Sequence, residues 1–338
     1  MRIENKQERG AATPISTYPA GEIPTASARL RGNLTAYGFM GPTLLLVTFF
    51  FFIPVVMIFF LSFTGLDMTN FGKLQWWLPK NWDLENYVKI FTNRFSPKIL
   101  GNTIMYTAVT LCLFNVGMGL VIALLTTNID RRAGFFFRVL WLLPRITPIV
   151  VYIIMWKALA GPEPMGIINR YLLTPLGLGD GEFLINTYPW VFVILTNGFI
   201  GASFGMIIFT SAIESIPKDY TMASKVDGAS TWQTIRYVTI PVIRWPLLFV
   251  TTYQTLSLLT SFNYILLLTD GGPGLYQTEV WSLTAYHRAM TSYFGNTQWG
   301  YGSAWAVILV IIGVVMAIIY MRIFRFGALV QEPRIETL

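Results

Sequence analysis

Two apolar runs in the second half of the chain carry amides and hydroxyls where hydrocarbon alone would serve packing. The run near 189–212 holds Asn197, Gly198, Gly201, Ser203 and Gly205. Within it Asn197, Ile200, Gly201 and Phe204 follow i, i+3, i+4, i+7 spacing and share one helix face. The run near 246–269 holds Gln254, Ser257, Leu258 and Ser261 on one face by the same rule, with Asn263 just beyond. Serines and threonines there satisfy themselves on their own helix backbone; Gln254 and Asn263 are harder to dismiss. Polar groups in a span mark a cavity or a path by default, and the chemistry on offer is hydrogen bonding to a neutral polyol. Asn197 both donates and accepts, a small residue at Gly201 lets a ring approach the backbone, and Phe204 offers a surface to the apolar side of a pyranose. No Arg or Lys lies in these two runs, so the lining fits an anion poorly. Plain packing competes with this reading, because Gly201-x-x-x-Gly205 is also a helix-contact motif. The lining is the preferred reading.

Covalent chemistry is poorly supplied. The single histidine, His287, excludes a multi-histidine metal cluster, and the single cysteine, Cys112, read as buried in its apolar run, excludes an internal disulfide. A nucleophile with its base is missing. No G-x-x-x-x-G-K-[ST] stretch occurs, so this chain is expected neither to hydrolyse ATP nor to bind a cofactor of its own. An ion-coupled carrier would place Asp, Glu or His in its spans, often in repeated halves. The clearer spans hold essentially none, and no internal repeat stands out.

The elements that must position these residues follow from composition. Hydrophobic residues make up 54% of the chain and charged ones 12%, with mean hydropathy +0.54, which predicts an all-α polytopic membrane protein. Six segments reach the roughly 20 apolar residues a bilayer needs: 39–62, 103–126, 138–160, 189–212, 246–269 and 303–324. Pro144, Arg145 and Pro148 interrupt the third, predicting a kinked helix with Arg145 buried against protein. The net charge of +7 belongs with basic cytoplasmic loops rather than nucleic acid. Lys and Arg fall about two to one on the side of the N-terminus, which predicts both termini inside. Residues 1–36 read as a flexible cytoplasmic tail without the apolar core of a signal peptide, 37–326 as the six-helix domain, and 327–338 as a second cytoplasmic tail. Most of Trp76, Trp77, Trp82, Tyr188, Trp190, Trp281 and Trp299 read as interfacial anchors. For the last outer loop, a docking surface for an external protein is the alternative.

Between the fourth and fifth spans lies a polar island, Ile216–Pro241, within a cytoplasmic loop at 214–242. Its punctuation predicts two short helices. Ser215 caps the first, with Pro217 in its opening turn, and Gly228 ends it in the left-handed conformation. Ser230 and Gln233 form a capping box for the second, and Pro241 closes the island. An ordinary loop is the bland alternative. A DNA-reading helix pair is disfavoured, since few basic residues lie near and both ends enter lipid.

The sequence Met222-Ala223-Ser224-Lys225-Val226-Asp227-Gly228-Ala229, followed by Trp232-Gln233, Arg236, Ile240 and Pro241, resembles the EAA loop of binding-protein-dependent ABC importer permeases. So do Leu84–Tyr87, Asn102-Thr103, Leu143-Pro144, Trp156-Lys157, Gly166–Asn169 and Leu268–Pro273, extending the likeness over roughly residues 37 to 326, within the carbohydrate-uptake branch typified by maltose and glycerol-3-phosphate permeases. The resemblance implies a type I importer permease in a bacterial or archaeal cytoplasmic membrane. It implies a heterodimer with a second permease, two ATPase subunits that hold ATP and Mg, an extracytoplasmic solute-binding protein, and a sugar or related polyol as substrate. It assigns ATPase coupling to Asp219, Tyr220, Met222, Ala223, Lys225, Asp227, Gly228, Ala229 and Arg236, and sugar contact to the neighbourhood of Asn197 and Phe204. Met222 departs from the family's acidic residue, so the usual ion pair with the ATPase cannot form; either apolar packing substitutes there or the partner subunit carries more of the coupling.

Overall fold

A computed structural model of the chain describes residues 26–177, 182–291 and 296–324, with side chains from Tyr37 onward. Of the tail expected over 1–36, residues 1–25 lie outside the described residues and 26–36 have helical backbone; the tail expected over 327–338 lies outside the described residues. Two units are distinguished, Met1–Val56 and Met57–Leu338. In the first, helical backbone begins at Ala26 and passes through a π turn at Thr48–Phe52. The ring-bearing positions Phe49 to Phe52 are all exposed, which suits contact with acyl chains. This apolar helix, α1 (Tyr37–Leu61), covers the expected first span.

The second unit is helical, with no strand among its described residues. A short amphipathic helix, α2 (Glu85–Thr92), leads into α3 (Ser96–Thr127), which carries a long π segment at Thr110–Met118. Then come α4 (Arg131–Ile146), α5 (Ile149–Leu159) and the long α6 (Pro189–Glu214). The island supplies α7 (Lys218–Val226) and α8 (Thr231–Thr234). The C-terminal half of the unit consists of α9 (Arg244–Thr260), α10 (Asn263–Leu268), α11 (Trp281–Met290) and α12 (Trp299–Ile323).

Among the described residues four helices are long and apolar enough to span a bilayer: α1, α3, α6 and α12. The third expected span is not one kinked helix. α4 and α5 meet at 100°, because Pro148 drives Thr147 into extended backbone (ψ 134°) and the first helix stops there. Thr147 Oγ1 donates to the Leu143 carbonyl at 3.0 Å, satisfying an acceptor near the break. The fifth expected span is also divided. α9 has 17 residues, about 26 Å, short of the ~30 Å hydrocarbon core. It stops at Ser261 and resumes as α10 after Phe262, and the Ser282 hydroxyl donates to the freed Ser261 carbonyl at 3.4 Å.

α3 and α6 approach closely along small residues. A Cβ on Gly205 would meet the Asn115 carbonyl oxygen at 2.2 Å, and one on Gly201 the Asn115 side chain at 2.0 Å. The glycine Cα hydrogens therefore point at oxygen, the geometry of Cα–H···O contacts between helices. The packing reading of Gly201-x-x-x-Gly205 is the one the structure supports.

Several sequence landmarks act as clamps. Asn86 Nδ2 donates to the carbonyls of Ser62 (3.1 Å) and Thr64 (2.8 Å), closing the loop after α1 onto α2. Asn102 Nδ2 reaches the carbonyls of Tyr276 (3.1 Å) and Glu279 (2.9 Å), while Thr103 Oγ1 accepts from the Trp281 backbone N–H (2.8 Å). Asn169 Nδ2 donates to Gly161 and Glu182 carbonyls at 2.8 and 2.7 Å. Trp281 is not an interfacial anchor: it is buried, its ring 4.4 Å from that of Trp305, with Nε1 donating to the Trp305 carbonyl at 2.8 Å. Cys112, expected buried, is exposed on α3.

Candidate functional site

The polar residues of α6 and α9 divide into two sets. Asn197, Ile200, Gly201, Gln254 and Leu258 are buried. Asn197 Nδ2 donates to the Tyr106 hydroxyl and lies 3.5 Å from Ser261 Oγ. Gln254 Nε2 donates to the Gly201 carbonyl at 3.1 Å. These groups therefore satisfy one another between helices, and the backbone at Gly201 is covered by Asn115 rather than open to a sugar ring. Thr251, Thr252 and Thr255 donate to carbonyls one turn back at 2.7–2.9 Å, as expected of hydroxyls in a helix.

The second set is open. Ser257 and Asn263 are exposed, Ser261 is half-buried, and Phe204 is half-buried at the edge of the buried group. Phe204 stacks on Tyr253 at 4.9 Å with rings 24° apart, and Tyr253 stacks on Phe249 at 6.2 Å. Phe249 and Tyr253, one turn apart on α9, are 47% and 51% exposed, so the ladder has a free side. Arg145, expected buried, is exposed. Its Nη1 donates to Ser203 Oγ at 3.3 Å, and its guanidinium carbon sits 5.8 Å from the Phe204 ring centroid. The two runs 189–212 and 246–269 supply no cation themselves, but the end of α4 brings Arg145 to this face from outside them. Sequence reasoning missed Phe249, Tyr253 and Arg145 as members of one face. The aromatic pair at i, i+4 was the available signal for the first two.

The island is a rigid projection. α7 is entered from Pro217 in extended backbone, and Ser215 does not cap it: its hydroxyl donates to Ala212 at 2.8 Å, finishing α6 instead. Gly228, at φ +77°, reverses the chain, with its N–H donating to Lys225 (3.1 Å) and that of Ala229 to Ser224 (2.9 Å). Ser230 and Gln233 form the capping box, with Gln233 Oε1 accepting from the Ser230 N–H at 2.7 Å and Ser230 Oγ from the Gln233 N–H at 3.3 Å. Pro241 does not close the island. Helical backbone continues through a π turn at Ile235–Thr239 and past Pro241, turning only at Ile243. Buried Ser224 bonds Thr234 Oγ1 at 3.2 Å and locks the two helices together. Arg138 pairs with Glu214 at 2.6 Å, fixing the base of the projection to α4.

Asp219, Tyr220, Met222, Ala223, Lys225, Asp227, Gly228 and Arg236 are exposed and Ala229 is half-buried. Apolar side chains stand out most: Val226 is 88% exposed and Met222, one turn earlier on α7, 58%. Trp232 and Tyr237 are exposed on the following helical run.

A third polar cluster joins α11 to the loop that precedes it. Buried His287 faces Glu279 Oε1 through Nδ1 and Asp270 Oδ1 through Nε2, both at 3.0 Å. Burial opposes protonation of the imidazole, but the hydrogen bonds and charges of Glu279 and Asp270 outweigh it and raise its pKa above the ordinary 6.5. Gly271, at φ +81°, leaves room for Glu279, whose Oε2 a Cβ there would meet at 2.0 Å. Among the described residues no group of three His, Cys, Asp or Glu is arranged to hold a metal ion.

Several apolar spanning helices, a broken third segment and a rigid helical pair projecting between two of them define an integral membrane transport subunit. The chain belongs to the family of binding-protein-dependent transport system inner membrane components, whose profile matches residues 115–335. It is 32% identical over 299 residues to the "Probable ABC transporter permease protein YesP" of Bacillus subtilis (strain 168), covering 86% of this chain and 90% of that one. It is 25% identical to the "Diacetylchitobiose uptake system permease protein NgcF" of Streptomyces coelicolor, over 79% and 82% of the two chains. The fold is shared with a chain of a bacterial ABC transporter involved in the import of the acidic polysaccharide alginate, at TM-score 0.73 and 22% identity, over 88% of this chain and 97% of that one.

Proposed function

We propose that this chain is one permease subunit of an ATP-driven importer that moves a sugar delivered by an extracytoplasmic binding protein. A relative whose name specifies diacetylchitobiose uptake, and a structural neighbour from a transporter involved in alginate import, support the saccharide class. In this reading the chain crosses a bacterial cytoplasmic membrane six times, with α4–α5 and α9–α10 completing the third and fifth crossings and both termini inside. Residues 37–326 form the permease domain, with cytoplasmic tails at 1–36 and 327–338. A second, similar permease completes the path, and two ATPase subunits hold ATP and Mg. No cofactor is bound by this chain.

The observation that carries the reading is the locked α7–α8 pair with its exposed apolar face. A solvent-facing helix that presents Met222 and Val226 at i, i+4 while its inner side is fixed by Ser224 is built to seat in a partner's groove. Met222, in place of the family's acidic residue, adds apolar contact where an ion pair would otherwise form. The partner proposed is the ATPase subunit, and closure of the ATPase dimer would swing the spans through this lever.

The test is co-purification. A tagged chain expressed with its neighbouring permease and ATPase should bring the ATPase down, and Val226→Asp should reduce recovery about tenfold by placing a charge in an apolar groove. Unchanged recovery with Val226→Asp and Met222→Asp combined would place the docking surface elsewhere.

A further inference from the structure

An exposed guanidinium in the middle of the transmembrane region needs an occupant for the space it faces. Arg145 bonds Ser203, the fifteenth residue of a helix of 26. That contact lies about 21 Å along a helix about 39 Å long, so it sits near mid-membrane rather than at an interface. A charge at that depth faces a water-filled cavity or a partner, not acyl chains. Among the described residues no carboxylate pairs with Arg145. Ser203 takes one N–H and the Phe204 ring lies beneath the guanidinium, so the side chain is oriented while its remaining donors have no hydrogen-bond partner among the described residues. Beyond it runs the open ladder Phe204–Tyr253–Phe249, followed along the same helix by exposed Ser257. The exposed flanks of Tyr253 and Phe249, the Ser257 hydroxyl and one fixed cation make a surface for a polyol that carries a negative charge.

We propose that Arg145 recognises an anionic group on the saccharide as it crosses, and that the substrate class is an acidic saccharide bearing a carboxylate. The planar fork of the guanidinium matches a carboxylate through two parallel hydrogen bonds, and its charge is permanent. The exposed flanks of Tyr253 and Phe249 border the ring to which that carboxylate is attached. The inference rests on the importer reading above and deepens it by naming the charge of the cargo. It also explains why Arg145 stands in the broken third segment. The break at Thr147–Pro148 ends α4 just beyond the residue, leaving its side chain at a helix end instead of inside a continuous helix packed on all sides.

The experiment uses the complete complex in proteoliposomes, with its binding protein and a panel of radiolabelled disaccharides: digalacturonate, a sulfated, a phosphorylated and a neutral disaccharide. Sugar accumulated per ATP hydrolysed is measured for wild type, Arg145→Gln and Arg145→Lys, and assembly is checked by size-exclusion chromatography. The expected result is accumulation of digalacturonate, with a loss of about tenfold per ATP in Arg145→Gln and partial retention in Arg145→Lys, in line with losing a charge-assisted hydrogen bond. Accumulation of the sulfated or phosphorylated sugar with the same Arg145 dependence keeps the anion site and overturns the carboxylate assignment. Three results overturn the proposal outright: accumulation of the neutral sugar alone, an Arg145→Gln complex equal to wild type, or loss of assembly in both variants, which would make Arg145 a structural ion-pair member with the second permease. Failure of the loaded binding protein to stimulate ATP hydrolysis at all defeats the importer reading, and this proposal with it.

Discussion

Gly205→Ala inserts one methyl group where α3 and α6 come closest. The new Cβ would stand 2.2 Å from the Asn115 carbonyl oxygen and 3.3 Å from Phe209 Cε2. Ordinary contact requires about 3.5 Å, so the backbones must part by roughly 1 Å locally. A carbonyl held in the π segment cannot swing aside as a side chain can, which puts the cost at the upper end of the overpacking range, about 3 kcal/mol. Gly201→Ala meets the Asn115 side chain at 2.0 Å instead, and that amide can rotate, so about 1–2 kcal/mol is expected. Gly313→Ala serves as control, because the nearest atom to its Cβ is Leu256 Cδ2 at 3.9 Å. The assay is thermal denaturation of the purified complex followed by fluorescence-detected size-exclusion chromatography. By the scaling for domains of 150–250 residues, Gly205→Ala should lower the midpoint by roughly 6–12 °C, Gly201→Ala by about half as much, and Gly313→Ala hardly at all. A Gly205→Ala midpoint within about 1 °C of wild type, combined with selective loss of transport in Gly201→Ala, would refute the packing account and return Gly201 to the sugar path.

His287 should make stability depend on pH. Its pKa is raised in the folded state, so its contribution is fully present below about 6.5, the unfolded value, and fades as pH rises through the folded one. His287→Gln should therefore lower the melting midpoint most at pH 6 and progressively less toward pH 9; a constant difference would show that the imidazole acts only by packing. Asn102→Ala removes the donor shared by the Tyr276 and Glu279 carbonyls and should cost about 2 kcal/mol, read as faster hydrogen exchange across 276–281. Ser230→Ala dismantles the capping box for about 1 kcal/mol and should lower sugar moved per ATP without preventing ATPase recovery.

Much of this was legible because local chemistry decided it. Gly228 and the Ser230–Gln233 box announce a turn and a helix start whatever surrounds them, and both form. The uninterrupted apolar runs became α1, α3, α6 and α12 for the same reason. Helical periodicity told which residues share a face, but not what the face meets: Asn197 and Gln254 turned inward while Ser257 and Phe249 stayed open. The division of the fifth segment at Ser261–Phe262 has neither Gly nor Pro to announce it, and it depends on Ser282 from a distant helix. Pro148 did announce a break, yet a 100° turn that exposes Arg145 is a tertiary outcome. The asparagine landmarks were recognisable by kind, but their carbonyl partners lie as far as 177 residues away in sequence.

The most direct test of the central claim is sugar accumulation in proteoliposomes holding this chain, its partner permease and the ATPase, with loaded binding protein outside and ATP inside. The account predicts accumulation that requires ATP hydrolysis and the binding protein and survives collapse of the proton and sodium gradients. Accumulation driven by either gradient without ATP would contradict it, and would make the chain a secondary carrier.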